Sequence, residues 1–138
     1  MFLAIQDHIT AMTLHNPPVN AIGRVMQEEI LRIYNYTNHE SDFWVCVLHL
    51  VLKTFSVGVD IKLFYQSILD KDITSTQETY YDGAQALYDL RVLLICAVHG
   101  YCLGGLCYPA GADISIAVKG GEVINSSANR RRRMIKGA

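Results

Sequence analysis

The chain has 138 residues, of which 51% are hydrophobic and 18% charged, and its formal net charge is -1. That is enough apolar material for one compact domain with a substantial core, and a near-neutral balance excludes the concentrated basic surface of a phosphate-binding protein, so no nucleic acid is expected as partner. Cys46, Cys96, Cys102 and Cys107 form no CxxC pair, so no metal site is expected and the cysteines read as buried reduced thiols.

The opening "MFLAIQDH" has no basic n-region and no sustained apolar run before a small-residue cleavage site, which leaves a cytoplasmic location as the expectation. Residues Phe2 to Ile5 and Ile9 to Leu14 read as two short strands, and "HNPPVNA" after them is a loop because two consecutive prolines break regular structure. In "AIGRVMQEEILRIYNY" the apolar Ile22, Val25, Met26, Ile30, Ile33 and Tyr34 recur at helical spacing. Phe43 to Leu52 is a continuous β-rich apolar run, the pattern of a strand covered on both faces. "STQETYYDGAQALYDLR" predicts a second helix capped by Thr74 or Ser75, followed by a buried strand in "VLLICAV".

From Val92 to Ala112 there is no formally charged residue, a length that could cross a bilayer, with Gly100 and Gly104 forming a GxxxG pair. His99, the glycines and Pro109 interrupt it, and no aromatic belt flanks it. The better reading is a strand, a glycine turn, a short helix over Leu103 to Gly111, and a third strand in "ADISIAV". No membrane partner is expected. Alternating strands and helices predict an α/β layer structure. From Lys119 onward "KGGEVINSSANRRRRMIKGA" has no periodicity, and the expected division is a domain over 1–118 with an irregular basic tail over 119–138.

"FSVGVD" and "HGYCLGG" share one design, in which a buried strand ends in glycine just before another element and leaves backbone N–H groups unpaired. Two such donors facing each other would make an oxyanion hole, and the second would gain from the positive end of a following helix. Taken singly, each residue here has a plainer reading. Lys62 is a solvated lysine, Asp60 a cap or turn residue, His99 a hydrogen-bonded structural histidine, and Gly58, Gly104 and Gly105 are tight turns.

The ordered set "HNPPVNAI", "FSVGVDIKLF" and "VLLICAVHGYCLGGLCYPAGADISIA" resembles the crotonase superfamily, the enoyl-CoA hydratase/isomerase family, and most closely its members that act on ring-containing or otherwise unusual acyl-CoA esters. The resemblance implies a partial crotonase-like ββα spiral with mixed parallel sheets and flanking helices. It also implies binding of an acyl-CoA or enoyl-CoA ester, coenzyme A entering as part of the substrate with no covalently bound cofactor. Its oxyanion donors are carried over to the backbone N–H groups of Val59, just after Gly58, and of Gly105, just after Gly104. Lys62 falls at the family's "DIK" lysine near the CoA moiety and Asp60 at its turn-stabilising aspartate. A homo-oligomer, the family's trimer or hexamer, is implied as well.

The sequence also departs from the family. Tyr108 stands where hydratases carry their first catalytic glutamate, and a phenol with an ordinary pKa of about 10 is no carboxylate base. The second glutamate of the hydratases lies in a "PE" loop without a counterpart here, since Glu122 falls too early. Leu106 and Pro109 occupy the helix that borders the family's pocket. The expectation is therefore a truncated or degenerate member in which the standard two-glutamate hydration does not operate, with an inactive fragment that binds CoA esters or pairs with full-length subunits as the alternative.

Overall fold

A computed structural model of the chain describes residues 1–104, 111–119, 122–124 and 134–136. For residues 73, 75–81, 122–124 and 134–136 that description covers the backbone alone. The elements are β1 (Phe2–Gln6), β2 (Ile9–Leu14), α1 (Arg24–His39), β3 (Val45–Leu50), α2 (Ile61–Leu69), α3 (Ile73–Tyr88), β4 (Leu93–Val98), β5 (Tyr101–Leu103), β6 (Ile114–Ala117), β7 (Glu122–Ile124) and β8 (Met134–Lys136).

β1 and β2 form an antiparallel hairpin whose turn holds Asp7 at φ 52°, a conformation that Asp tolerates better than bulkier residues. Every later pairing in the sheet is parallel, in the order β1-β2-β3-β4-β6-β8. Asp113 fixes the register where β6 begins. Its N–H donates to Leu94 O at 2.9 Å, and its carboxylate accepts from Leu94 N–H at 2.9 Å.

One face of this sheet is closed. Met12, Leu14, Cys46, Leu48, Leu94 and Cys96 point into a core that also holds Met26, Ile30 and Ile33 of α1 and Ala84, Ala86 and Leu87 of α3. The two helices approach closely where Gly83 faces the buried Gln27. The other face is not closed, and here the structure departs from the sequence reading. β3 alternates half-buried and buried residues, as β4 does after an exposed Leu93, so neither strand is covered on both sides. The apolar run records that both faces avoid water, and only one of them has a cover within the described residues.

A second, smaller layer forms beside the first. β5 pairs with β7, Ser56 bridges to Cys102, and Val59 bridges to Ile22, all parallel. The segments near 19–22, 56–59, 101–103 and 122–124 thus lie side by side.

Several boundaries differ from expectation. α2 was not anticipated as a helix, although Ile61, Phe64, Tyr65 and Ile68 follow its period. α3 starts at Ile73 after an N-cap at Asp72, ahead of Thr74 and Ser75, because only Asp70 to Asp72 separate it from α2. Leu103 belongs to β5 and not to a helix, and the rest of the expected helix, Gly105 to Ala110, lies outside the described residues. The segment expected to be irregular contains β7 and β8, each held by pairing with a distant strand. No helix among the described residues is long and apolar enough to cross a membrane. The expectation of reduced thiols holds for Cys46 and Cys96 and fails at Cys102, which is disulfide-bonded to a partner outside the described residues.

Candidate active site

The first glycine turn is built on the loop that follows β2. Asn20 sits fully buried at φ 51°, and its side chain accepts from Asn16 N–H at 2.7 Å and donates to Thr54 O at 3.2 Å. Its carbonyl accepts from the Ser56 hydroxyl at 2.7 Å, and the same hydroxyl accepts from Gly58 N–H at 3.1 Å. A single buried serine therefore ties the "VNAI" loop to the "FSVGVD" turn. Both motifs are visible in the sequence, but the roles of Asn20 and Ser56 are not, because the bond between them spans 36 positions.

Gly58 changes what the turn presents. Within an extended segment, N–H groups two residues apart point to the same neighbour, and Val57 N–H donates to Val19 O at 3.3 Å. Gly58 has φ 89°, which interrupts the alternation. Ile22 N–H then donates to Gly58 O at 2.7 Å, and Asp60 N–H donates to Ile22 O at 3.0 Å. These two bonds bracket Ile22, so the N–H of Val59 between them is turned away from that neighbour. It makes no hydrogen bond among the described residues.

The second glycine turn lies against the first. Ser56 N–H donates to Tyr101 O at 3.1 Å and Leu103 N–H donates to Ser56 O at 2.9 Å. Gly104 has φ 95°, and its backbone meets Gly58 so closely that a Cβ on Gly58 would stand 2.9 Å from Leu103 O, and one on Gly104 would stand 3.2 Å from the Gly58 Cα. The two turns thus touch backbone to backbone with no room for a side chain between them. Gly105 and Tyr108, the other two positions singled out from the sequence, lie outside the described residues.

Asp60 caps α2: its carboxylate accepts from Lys62 N–H at 2.9 Å, which satisfies one of the free donors of the first helical turn. Lys62 projects from that turn into solvent. Beside it is a cavity of about 300 Å³ between the starts of α1 and α2, lined among others by His15, Asn16, Arg24, Glu29, Asp60 and Leu63. Sequence reasoning did not find this cavity, since its walls come from three separate segments.

His99 is occupied structurally. Its Nε2 lies 2.7 Å from Leu52 O, and as a carbonyl can only accept, Nε2 carries the proton there. The buried thiols are no nucleophiles either. Burial pushes Cys46 up to about 11 against a partial opposing effect of the Thr10 hydroxyl, and burial with the neighbouring Cys46 raises Cys96 as well. Both remain neutral near pH 7, where reactive cysteines need thiolate character.

A profile described as enoyl-CoA hydratase/isomerase matches residues 4–125. Among curated relatives, the chain is 27% identical over 103 residues to a Bacillus subtilis protein named "Probable enoyl-CoA hydratase", covering 75% of this chain and 40% of that protein. It is 30% identical over 112 residues to a hexahydro-1H-indene-carboxyl-CoA hydrolase of Rhodococcus jostii, covering 80% of this chain and 43% of that protein. The chain spans about two fifths of the length of these relatives. Among solved structures, Pseudomonas aeruginosa AtuE superimposes with a TM-score of 0.81 at 18% identity, over 88% of this chain and 49% of that one. The fold is therefore crotonase-like, as expected from the sequence.

Proposed function

The chain belongs to the enoyl-CoA hydratase/isomerase family, and from that premise we propose that it binds an acyl-CoA thioester and stabilises the enolate formed at its α-carbon. The thioester carbonyl is received by the N–H groups of Val59 and Gly105. As the α-proton leaves, negative charge gathers on that oxygen, and donors already fixed in direction stabilise it without having to reorganise, each contributing roughly 3–4 kcal/mol. The observation that carries this reading is the inversion at Gly58, which turns the Val59 N–H away from Ile22 while Gly104 packs against the same turn.

Lys62 and Arg24 supply positive charge beside the cavity at the start of α2. That suits the phosphates of coenzyme A, with Asp60 holding the helix start in place. Tyr108 in the position of the hydratase glutamate argues against standard hydration, so crotonyl-CoA should keep its conjugated absorbance. A ring-containing acyl group is favoured by the closeness of the motifs to family members of that kind and by the relative named as an indene-carboxyl-CoA hydrolase.

The test uses acetoacetyl-CoA, whose enolate has its own absorption band. Calorimetry should show binding, and the enolate band should grow in the complex. Replacing Gly105 with Pro removes one donor and should cut the enolate-to-keto ratio of the bound ester by about 100-fold. No binding of the ester at millimolar concentration, or an undiminished enolate band in Gly105→Pro, would overturn the proposal.

A further inference from the structure

Two adjacent peptide planes decide where the Val59 N–H points. The plane from Gly58 to Val59 is held by its carbonyl, which accepts from Ile22 N–H at 2.7 Å, and because a trans peptide is flat its N–H faces the opposite way. The plane from Val57 to Gly58 is held by a single side chain, that of Ser56, whose hydroxyl accepts from Gly58 N–H at 3.1 Å. Gly58 lies between the two planes at φ 89°, and a glycine passes between positive and negative φ with less restraint than other residues. Whatever holds both planes therefore sets the direction of the donor.

A serine hydroxyl suits this task because it has one proton to give and two lone pairs to offer. The proton goes to Asn20 O at 2.7 Å, which leaves a lone pair for the Gly58 N–H. Each bond polarises the other, and Ser56 is only 3% exposed, so both form where water does not compete. The anchor is fixed in turn. Asn20 N–H donates to Asn16 O at 2.8 Å, and the buried Asn20 side chain joins Asn16 N–H to Thr54 O. The backbone of Ser56 has separate partners, Tyr101 O at 3.1 Å and Leu103 N–H at 2.9 Å. Removing the hydroxyl thus leaves the contact between the two glycine turns in place.

We propose that Ser56 is a positioning residue for the site: held by Asn20, its hydroxyl fixes the inversion at Gly58 and so aims the Val59 N–H at the thioester oxygen. This rests on the reading of Val59 N–H as an oxyanion donor. The charge that gathers on the oxygen in the enolate depends on donors fixed in direction beforehand, whereas the coenzyme A portion binds without reference to that direction. Loss of the Ser56 hydroxyl should therefore weaken the enolate and leave the grip on coenzyme A unchanged.

Calorimetry with coenzyme A, together with the enolate band of bound acetoacetyl-CoA, separates this task from a merely structural one. Ser56→Ala should keep its affinity for coenzyme A within about twofold and lower the enolate-to-keto ratio of the bound ester about 10-fold, since a misdirected donor loses less than an absent one. Ser56→Thr and Ser56→Val form a pair of nearly equal size that differs in the hydroxyl alone, and the Thr variant should exceed the Val variant by about the same factor. An unchanged ratio in Ser56→Ala overturns the proposal. So do equal ratios in the Thr and Val variants, or an enolate loss matched by an equal loss of coenzyme A binding. Amide exchange without ligand keeps this inference apart from the reading it rests on. In Ser56→Ala, exchange at Gly58 should quicken roughly tenfold or more while Leu48 in β3 keeps its protection, and unchanged exchange at Gly58 overturns the role of Ser56 whatever the ester does. Faster exchange at Gly58 with no enolate band in the parent chain overturns the oxyanion reading instead.

Discussion

The two glycine turns look alike in sequence and are supported differently. The first, around Gly58, rests on the loop of residues 16–22 through Asn20, Val19 and Ile22. The second, around Gly104, rests largely on the first: His99 bonds to Leu52, Gly100 packs on Lys53, and Leu103 bonds to Ser56. Each pass of the chain seats the next, as in a solenoid where a unit contacts its neighbours in order. A defect at the lower seat should therefore loosen both turns, and a defect at the upper seat should loosen the second alone.

The largest effect should come from Gly100→Ala. A Cβ there would run into the Lys53 carbonyl, and because the obstacle is backbone it cannot swing aside. We expect a loss of more than about 3 kcal/mol in urea unfolding, with amide exchange accelerated at Cys102 and Leu103 while Val57 stays protected. Equal acceleration on both turns would show that the support does not run in one direction.

Asn20→Ala attacks the lower seat. Its buried side chain bonds to Asn16 N–H and Thr54 O, so both groups lose a partner, at a cost of about 2–3 kcal/mol. Here exchange should quicken at Val57 and also at Leu103, since the Ser56 carbonyl that holds Leu103 moves with the first turn. Confinement of the change to the first turn would break the proposed order of support.

How much of this was legible depends on how far apart the cooperating residues lie. β2, β3, β4 and α1 are readable because periodicity is local, whereas Val59 is singled out only through the family resemblance of "FSVGVDIKLF". α2 is not anticipated because the turn "FSVGVD" is read as leading into another element of unassigned type, although the apolar spacing of Ile61, Phe64, Tyr65 and Ile68 is present in the sequence. The short strands β7 and β8 exist through pairing with β5 and β6, and three residues carry no periodicity of their own. Asn20 and Ser56 hold the first turn through a contact between distant segments, which no local pattern announces. The half-buried side of β3 and β4 is hidden for a related reason: a continuous apolar run reports a dislike of water on both sides of a strand, and among the described residues only one side has its cover.

The smallest effect should come from His99, and it bears on function as much as on stability. An imidazole beside a proposed oxyanion hole invites the role of general base. The bond from Nε2 to Leu52 O gives it a different task, that of joining the upper turn to the segment leading into the lower one. His99→Leu removes the donor and leaves the carbonyl half-satisfied, a cost of about 1 kcal/mol, whereas His99→Gln offers an amide N–H in its place and should recover most of it. If the task is structural, the enolate band of bound acetoacetyl-CoA should be the same in His99→Gln as in the parent chain and only slightly reduced in His99→Leu. Loss of that band in both variants, with stability restored in His99→Gln, would make the imidazole itself part of the chemistry and the second turn a catalytic element in its own right.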